Sequence, residues 1–174
     1  MIVAIDTSVL LLMFDPKARV PKDPATGQPL ERAAERVNLL VSTMVASRAK
    51  ILIPTPVLSE LLVGSGPSFQ SFIDRINQNA AFRVAPFDQR AAIEAALAHR
   101  DALSRGGFRV DSGAVDTSKS KIKFDRQIVA IAKVEGCSTV YSDDEDVVGM
   151  AIRCGMTAVR TADLDLPEQG SFDI

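Results

Sequence analysis

The sequence predicts an α/β fold in which a central parallel β-sheet of four to five strands is flanked by α-helices on both faces. Three short runs rich in β-branched residues, Ile2–Ile5, 51–53 and Thr139–Tyr141, have the composition of strands buried on both faces. Residues 82–84 and Thr157–Val159 are weaker strand candidates. Stretches with helical period separate these runs, and parallel strands joined by helical crossovers form such a sheet.

Two apolar stripes at helical spacing predict helices that pack on this sheet. One stripe consists of Ala33, Val37, Leu40, Val41, Met44 and Val45, and the other of Ala92, Ala95, Ala96, His99 and Leu103. The Pro-rich segment 15–29 predicts a surface loop before a helix that begins near Glu31. The Gly/Ser-rich stretch 104–120 has no apolar period and predicts the most mobile segment.

Length and composition indicate one domain that spans residues 1–174. Of the 174 residues, 47% are hydrophobic, which is enough for a substantial core. The net charge of −2 gives no global attraction to nucleic acid, so any such site must be local. Only two cysteines, no signal-peptide pattern and no apolar run near 20 residues predict a reduced, cytoplasmic protein with no membrane segment.

Acidic residues from four separate segments fall near one edge of the predicted sheet. Asp6 follows the first strand, and Glu60 lies about one turn into a helix that Pro56 begins. Asp125 is placed in the first turn of the helix FDRQIVAIAKVEG. Asp143, Asp144 and Asp146 follow the strand TVY, together with Ser142. Ligands of open parallel sheets bind outside the carboxyl ends of the strands, which gives these acids a functional interpretation.

Each acid also has a purely structural explanation. Asp6 is a candidate helix cap, a role typically worth about 1 kcal/mol. The helix macrodipole favours Asp125, Asp143 and Asp144 at helix starts, and Glu60 fits an ordinary exposed helical position. For any single acid such a role is sufficient. Capping does not explain the convergence, because Glu60 is too far into its helix to cap it.

Clustered carboxylates repel each other and lose hydration on burial, so they need protons or cations. All-oxygen ligation suits Mg²⁺ or Mn²⁺, whereas zinc prefers Cys or His. The one histidine, His99, lies in a different helix and is interpreted as structural. Such ions bind phosphate oxygens and activate water, which predicts phosphodiester hydrolysis. Two findings would contradict this hypothesis: acids too far apart to share an ion, or acids neutralised by Arg and Lys.

A local run of basic residues brackets Asp125 and predicts a nucleic-acid contact. It consists of Arg105, Arg109, Lys119, Lys121, Lys123 and Arg126, of which Lys121, Lys123 and Arg126 are the predicted nucleic-acid-binding residues. For each member alone, a solvated surface position explains the charge equally well.

At this point the chain resembles the PIN-domain nucleases, in particular bacterial toxin ribonucleases of the VapC type. The matching pieces are AIDTSVL, PVLSELL and FDRQIVAIAKVEGCSTVYSDDEDV, in the family order and over nearly the whole chain. Through the resemblance, Asp6, Glu60, Asp125 and Asp144 correspond to four acids that hold Mg²⁺ or Mn²⁺, and Asp146 to an additional acid. Ser8 and Ser142 match the supporting polar residues. Asp143 falls at a variable position and ranks below Asp144, although the sequence leaves that register open.

The resemblance implies metal-dependent cleavage of single-stranded or structured RNA, with a metal-bound water attacking in line. It also implies a homodimer and, for a toxin of a type II toxin–antitoxin system, neutralisation by a small antitoxin protein. Many compact toxins of this type are shorter, and here segments 15–29 and 104–120 are enlarged. Val147 also stands where the family often has Phe.

Other functions fit the motifs less well. A haloacid-dehalogenase-type phosphatase needs a second Asp where this chain has Ser8, and a phospho-receiver needs an Asp after the middle strand ILIP. GSGPS is neither a dinucleotide-binding nor a P-loop pattern. The alternative that remains is a non-catalytic PIN-like module that binds RNA or protein without cutting.

Overall fold

A computed structural model describes residues 1–104 and 116–167, with side chains given for 1–104 and 121–167. The strands are β1 (Ile2–Ile5), β2 (Lys50–Pro54), β3 (Phe82–Ala85), β4 (Thr139–Tyr141) and β5 (Thr157–Val159). The helices are α1 (Thr7–Phe14), α2 (Ala33–Ala46), α3 (Thr55–Gly64), α4 (Phe69–Gln78), α5 (Gln89–Ser104), α6 (Asp116–Val134) and α7 (Glu145–Arg153). Short 3-10 turns lie at Gly66–Ser68 and Thr161–Asp163.

The five strands form one parallel sheet in the order β3-β2-β1-β4-β5. All four pairings are parallel, as the β-branched runs and the helical crossovers predict. The predicted α/β sheet is therefore confirmed, including both weaker strand candidates. Strands β2 and β3 lie on one side of β1, and β4 and β5 lie on the other. This change of side opens a crevice at the carboxyl ends of β1 and β4.

Two apolar layers cover the sheet, one on each face. Alternate residues of the central strands divide between them, so that Ile51 and Ile53 pack with α1 to α4, and Leu52 packs with α5 to α7. All three side chains are fully buried. This arrangement explains why the strand sequences are apolar without alternation.

The helices follow the sequence predictions with three corrections. Helix α2 buries the predicted stripe except Leu40, which is partly buried, and Val45, which is 48% exposed. The stripe predicted for α5 is wrong at three positions: Ala92, Ala96 and Leu103 are exposed, Ala95 and His99 are partly buried, and the fully buried residue is Ala91. The helix is apolar on several sides, so its sequence does not fix which side packs. Helix α6 begins at Asp116, within the segment predicted as a loop, and residues 105–115 of that segment lie outside the described residues.

The Pro-rich segment between α1 and α2 is a surface loop, as predicted. Pro21 accepts a hydrogen bond from the Leu30 amide at 2.8 Å, and Lys22 and Pro29 form an antiparallel bridge. Leu30 itself is buried in the core layer of α1 and α2. The loop is therefore folded on itself and anchored, and α2 begins at Ala33, two residues after the predicted start at Glu31.

Candidate metal centre

Asp6 lies at the carboxyl end of β1, where it is 5% exposed. Its amide donates to the carbonyl of Tyr141 at 2.9 Å, which continues the pairing of β1 with β4 beyond the last strand residue. The Asp6 side chain makes no capping hydrogen bond to α1, so the capping explanation is wrong. Instead, its Oδ2 accepts hydrogen bonds from Ser142 Oγ at 2.8 Å and from Ser8 Oγ at 2.9 Å.

The two serines connect Asp6 to the segment after β4. Ser142 Oγ accepts from the Asp144 amide at 3.0 Å, and Ser8 Oγ accepts from the Asp143 amide at 3.1 Å. Each hydroxyl thus donates to a carboxylate and accepts from a backbone amide. Ser142 is fully buried, and this pairing satisfies its polar group. The supporting position predicted for both serines matches these contacts.

The acids after β4 point in different directions. Asp143 accepts from the Thr161 amide at 2.8 Å and from the Thr161 hydroxyl at 2.6 Å, which ties it to the turn after β5. Asp144 caps α7, because its Oδ1 accepts from the amides of Asp146 and Val147. Its Oδ2 faces Lys121 on α6. The sequence left the register between these two acids open, and in the structure Asp144 is the one directed towards α6.

Asp125 is 6% exposed and lies in the middle of α6. The prediction that it occupies the first turn of its helix is wrong, because α6 extends back to Asp116. The helix macrodipole therefore does not explain this acid, because Asp125 is more than two turns from the start of α6. One ligand oxygen from each of Asp125, Asp144 and Asp146 lies within 4.8 Å of the others, close enough for one ion. We call these three residues the acidic trio.

Glu60 stands apart from the acidic trio. It is exposed on α3, and its Oε2 accepts a hydrogen bond from Thr7 Oγ1 at 2.5 Å. Thr7 directly follows Asp6, so this bond directs Glu60 towards the end of β1. The predicted placement at the same rim is consistent with this contact. Asp6 and Glu60 are nevertheless not members of the trio that shares coordination distance.

Lys121 lies among the acids. Its Nζ is 2.8 Å from Asp144 Oδ2, 3.3 Å from Asp146 Oδ2 and 3.5 Å from Asp125 Oδ2. Neutralisation by lysine is one of the two findings that would contradict the metal hypothesis. The acidic trio does pair with a lysine, Lys121. However, one ammonium leaves a net negative charge on three carboxylates. The Lys121 side chain is also 51% exposed on a flexible stem, so it is not fixed by packing.

Burial and neighbouring charges shift the pKa values of these groups in different directions. Burial raises the pKa of Asp125 to about 6, although Lys121 opposes the shift. Burial also raises the pKa of Asp6, against the hydrogen bonds from Ser142 and Ser8. For Asp144, burial is outweighed by Lys121 and the Asp146 amide, and its pKa is lowered. The carboxylates raise the pKa of Lys121 despite its partial burial, so it stays charged.

The predicted RNA-binding residues differ in their surroundings. Lys121 binds the acidic trio, Lys123 is exposed, and Arg126 is half-buried, where burial lowers its pKa. Arg105 and Arg109 lie outside the described residues, as does the side chain of Lys119. The sequence patterns did not indicate Thr7 and Thr161 as partners of the acids. Thr7 is next to Asp6 in the sequence, which is a signal for its role. Thr161 reaches Asp143 only because β4 pairs with β5, which the sequence does not show.

The donor set fits a hard divalent cation. It contains oxygen ligands from the acidic trio, with the buried Asp6 close by, and neither His99 nor a cysteine belongs to it. Lys121 would have to leave for an ion to bind all three acids. Within the described residues, no helix combines the length and apolar content needed to cross a membrane.

Comparison with solved structures finds the same fold in two VapBC structures. VapBC2 from Rickettsia felis, solved bound to a DNA fragment from its promoter, aligns with a TM-score of 0.61 at 13% identity, over 92% of this chain and 98% of that chain. DNA-bound VapBC from Salmonella typhimurium aligns with a TM-score of 0.55 at 13% identity, over 92% and 99%. No protein-family model and no curated protein matches the sequence. This chain has the PIN-like fold of VapC structures, which confirms the predicted fold.

Proposed function

We propose that the protein is a Mg²⁺- or Mn²⁺-dependent endoribonuclease. The observation that carries this proposal is the acidic trio at the carboxyl ends of parallel strands, where one ligand oxygen from each acid lies within 4.8 Å of the others. Acids brought together from α6 and from the segment after β4 repel each other, and the single ammonium of Lys121 leaves part of their charge uncompensated. A dication reduces this repulsion and gives the cluster a chemical use.

In this proposal Asp6, Glu60, Asp125 and Asp144 are the catalytic acids, and Asp146 is an additional metal ligand. A bound divalent ion would supply electrophilic activation of the phosphate and a lowered pKa for water. Ser8 and Ser142 position Asp6 by donating to its Oδ2. The Asp146 and Val147 amides hold Asp144. Lys121, Lys123 and Arg126 attract the phosphate backbone, which the acids alone would repel.

The likeness to VapBC complexes supports the toxin of a type II toxin–antitoxin system as the biological role, with a small antitoxin as partner. A homodimer belongs to the same proposal. Exposed aliphatic side chains on α5, including Ile93 and Leu97, provide apolar surface for association. Light scattering of the isolated chain and pull-down of a co-expressed short neighbouring reading frame test these two partners.

A non-catalytic PIN-like module remains the second candidate, because Lys121 already neutralises part of the acidic trio. A protein of this kind would bind RNA or a protein without needing a metal. Metal binding separates the two candidates: the nuclease must bind Mn²⁺, whereas the module has no use for it.

The test of the nuclease compares Asp6→Asn and Asp125→Asn with the parent on a mixed RNA pool in Mn²⁺. Both variants should lose cleavage, because each removes a charge from the proposed site, while circular dichroism shows an intact fold. Asp74→Asn on α4 is the matched control, since Asp74 is exposed and contacts Gln70 rather than the acids. If both site variants cut RNA as well as the parent does, the proposal is wrong.

A further inference from the structure

A cavity of about 280 Å³ lies next to the acidic trio, and most of its lining residues do not belong to the trio. Its lining residues are Ser8, Leu11, Arg19, Pro21, Asp143 and Asp144. It shares Asp144 with the candidate metal centre, and Arg19 and Pro21 come from the Pro-rich loop. We propose that this cavity is a subsite for one nucleotide of the RNA substrate and that Arg19 binds its phosphate. The inference rests on the proposed nuclease function.

Arg19 is a cation without a counter-ion in the described part of the chain. It is exposed and forms no hydrogen bond or ion pair with the described side chains. The neighbouring acids do not need it, because Asp143 is bound by Thr161 and Asp144 by Lys121. Its guanidinium therefore remains available for an anion, and its planar donors suit a phosphate.

The loop that carries Arg19 is held in place. Asp23 Oδ1 accepts from the amides of Ala25 and Thr26, and the Asp23 amide donates to Gln28 at 2.8 Å. Gly27 completes this turn at a φ of +70°, a value that favours glycine. Leu30 anchors the end of the loop in the core. Because the Pro21 carbonyl accepts from the Leu30 amide, the backbone of the cavity wall at Pro21 is positioned before a ligand arrives, which reduces the entropy lost on binding.

The walls and the volume fit a single nucleotide. Leu11 and Pro21 offer apolar surface for a base, and Arg19 offers donors for a phosphate, whereas the Ser8 hydroxyl hydrogen is already donated to Asp6. Small-molecule pockets typically enclose about 300 to 1,000 Å³, so this cavity of about 280 Å³ lies just below that range. A cavity of this size suits at most one nucleotide unit. Its shared wall at Asp144 would place that nucleotide beside the bond to be cut.

The experiment compares Arg19→Gln and Arg19→Lys with the parent, and Lys17→Gln serves as the control. Lys17 is exposed on the same loop and does not line the cavity, so its substitution removes the same charge elsewhere. The measurements are kcat and KM for a short single-stranded RNA in Mn²⁺, RNA affinity against salt in EDTA, and Mn²⁺ affinity by calorimetry.

We expect Arg19→Gln to raise KM about fivefold to tenfold, with kcat within about twofold of the parent. The salt slope of RNA binding should fall by about 0.7, the value for one lost phosphate contact on a single strand. Arg19→Lys should retain the slope, and Lys17→Gln should match the parent. Mn²⁺ affinity should be unchanged in all three variants.

Equal losses in Arg19→Gln and Lys17→Gln would overturn the inference, because the loop would then act only through its total charge. The inference is also overturned if the parent cuts RNA and Arg19→Gln keeps the parent's KM and salt slope. That result is expected if Arg19 binds a protein partner instead of RNA. A parent that neither binds Mn²⁺ nor cuts RNA would instead remove the proposed function, and this inference with it.

Discussion

Lys121 Nζ lies 2.8 Å from Asp144 Oδ2 and joins α6 to the N-cap of α7. The same ammonium is within 3.5 Å of both other members of the acidic trio. Lys121 therefore occupies the position where a shared cation would stand. An ion bound at these oxygens would exclude the lysine contact, and the displaced ammonium would then be available to a phosphate.

The first prediction is that Lys121→Met binds Mn²⁺ about fivefold to tenfold more tightly than the parent. The ion no longer has to displace an ammonium whose exposed ion pairs are worth roughly 1 kcal/mol in total. Isothermal titration calorimetry measures the change. Lys123→Met is the matched control, because Lys123 is exposed two residues away and has no contact with the trio. Equal Mn²⁺ affinity in Lys121→Met and the parent would contradict the exchange.

Ser142→Ala should lower the free energy of unfolding by about 1 to 3 kcal/mol. The hydroxyl is fully buried, and its removal takes one of two serine donors from Asp6 and leaves the Asp144 amide without an acceptor. Urea denaturation measures the loss. Ser8→Ala is the comparison, and it should cost less because Ser8 is only partly buried. If the two variants lose equal stability, burial is not the cause.

The position of Glu60 outside the trio predicts a graded effect on metal binding. Glu60→Gln should weaken Mn²⁺ binding less than Asp144→Asn does, because Asp144 belongs to the set within 4.8 Å and Glu60 does not. Thr7→Val should have a similar, small effect, since it releases Glu60 from its hydrogen bond. Calorimetric titration of the three variants ranks them. A larger loss for Glu60→Gln would show that the ion sits nearer β1 than the trio indicates.

The metal-free protein should become less stable as the pH rises from about 4 to about 6, relative to Asp125→Asn. The folded pKa of Asp125, about 6, exceeds its ordinary value of 3.8, so in this range the folded chain holds a proton that the unfolded chain has released. The unfolding free energy then falls with pH. The difference is at most about 3 kcal/mol.

Thermal unfolding in EDTA at several pH values, with the Asp125→Asn curve subtracted, measures this dependence. The raised pKa of Asp6 and the lowered pKa of Asp144 make the stability of both proteins depend on pH. Subtracting the Asp125→Asn curve removes this shared dependence. A flat difference between pH 4 and 6 would show that Asp125 is not desolvated as its burial indicates.

The sequence by itself determined that the strands form a parallel sheet. It also determined that the segments after β1 and after β4 meet at one edge of that sheet. The run at β1 is apolar throughout because both faces are covered, and parallel pairing with β4 brings their carboxyl ends, with Asp6 and Ser142, to one edge. These properties depend on local composition and on the rule that helical crossovers join parallel strands.

Tertiary structure decided how the side chains at that edge are used. The direction of Asp143 towards Thr161 and of Asp144 towards Lys121 depends on contacts between segments distant in sequence. The same holds for the extension of α6 beyond Asp125, and for the loop that places Arg19 beside Asp144. Spacing along a chain indicates which residues reach an edge. Which partner each charge finds there is set by packing, because several partners of similar energy compete for it.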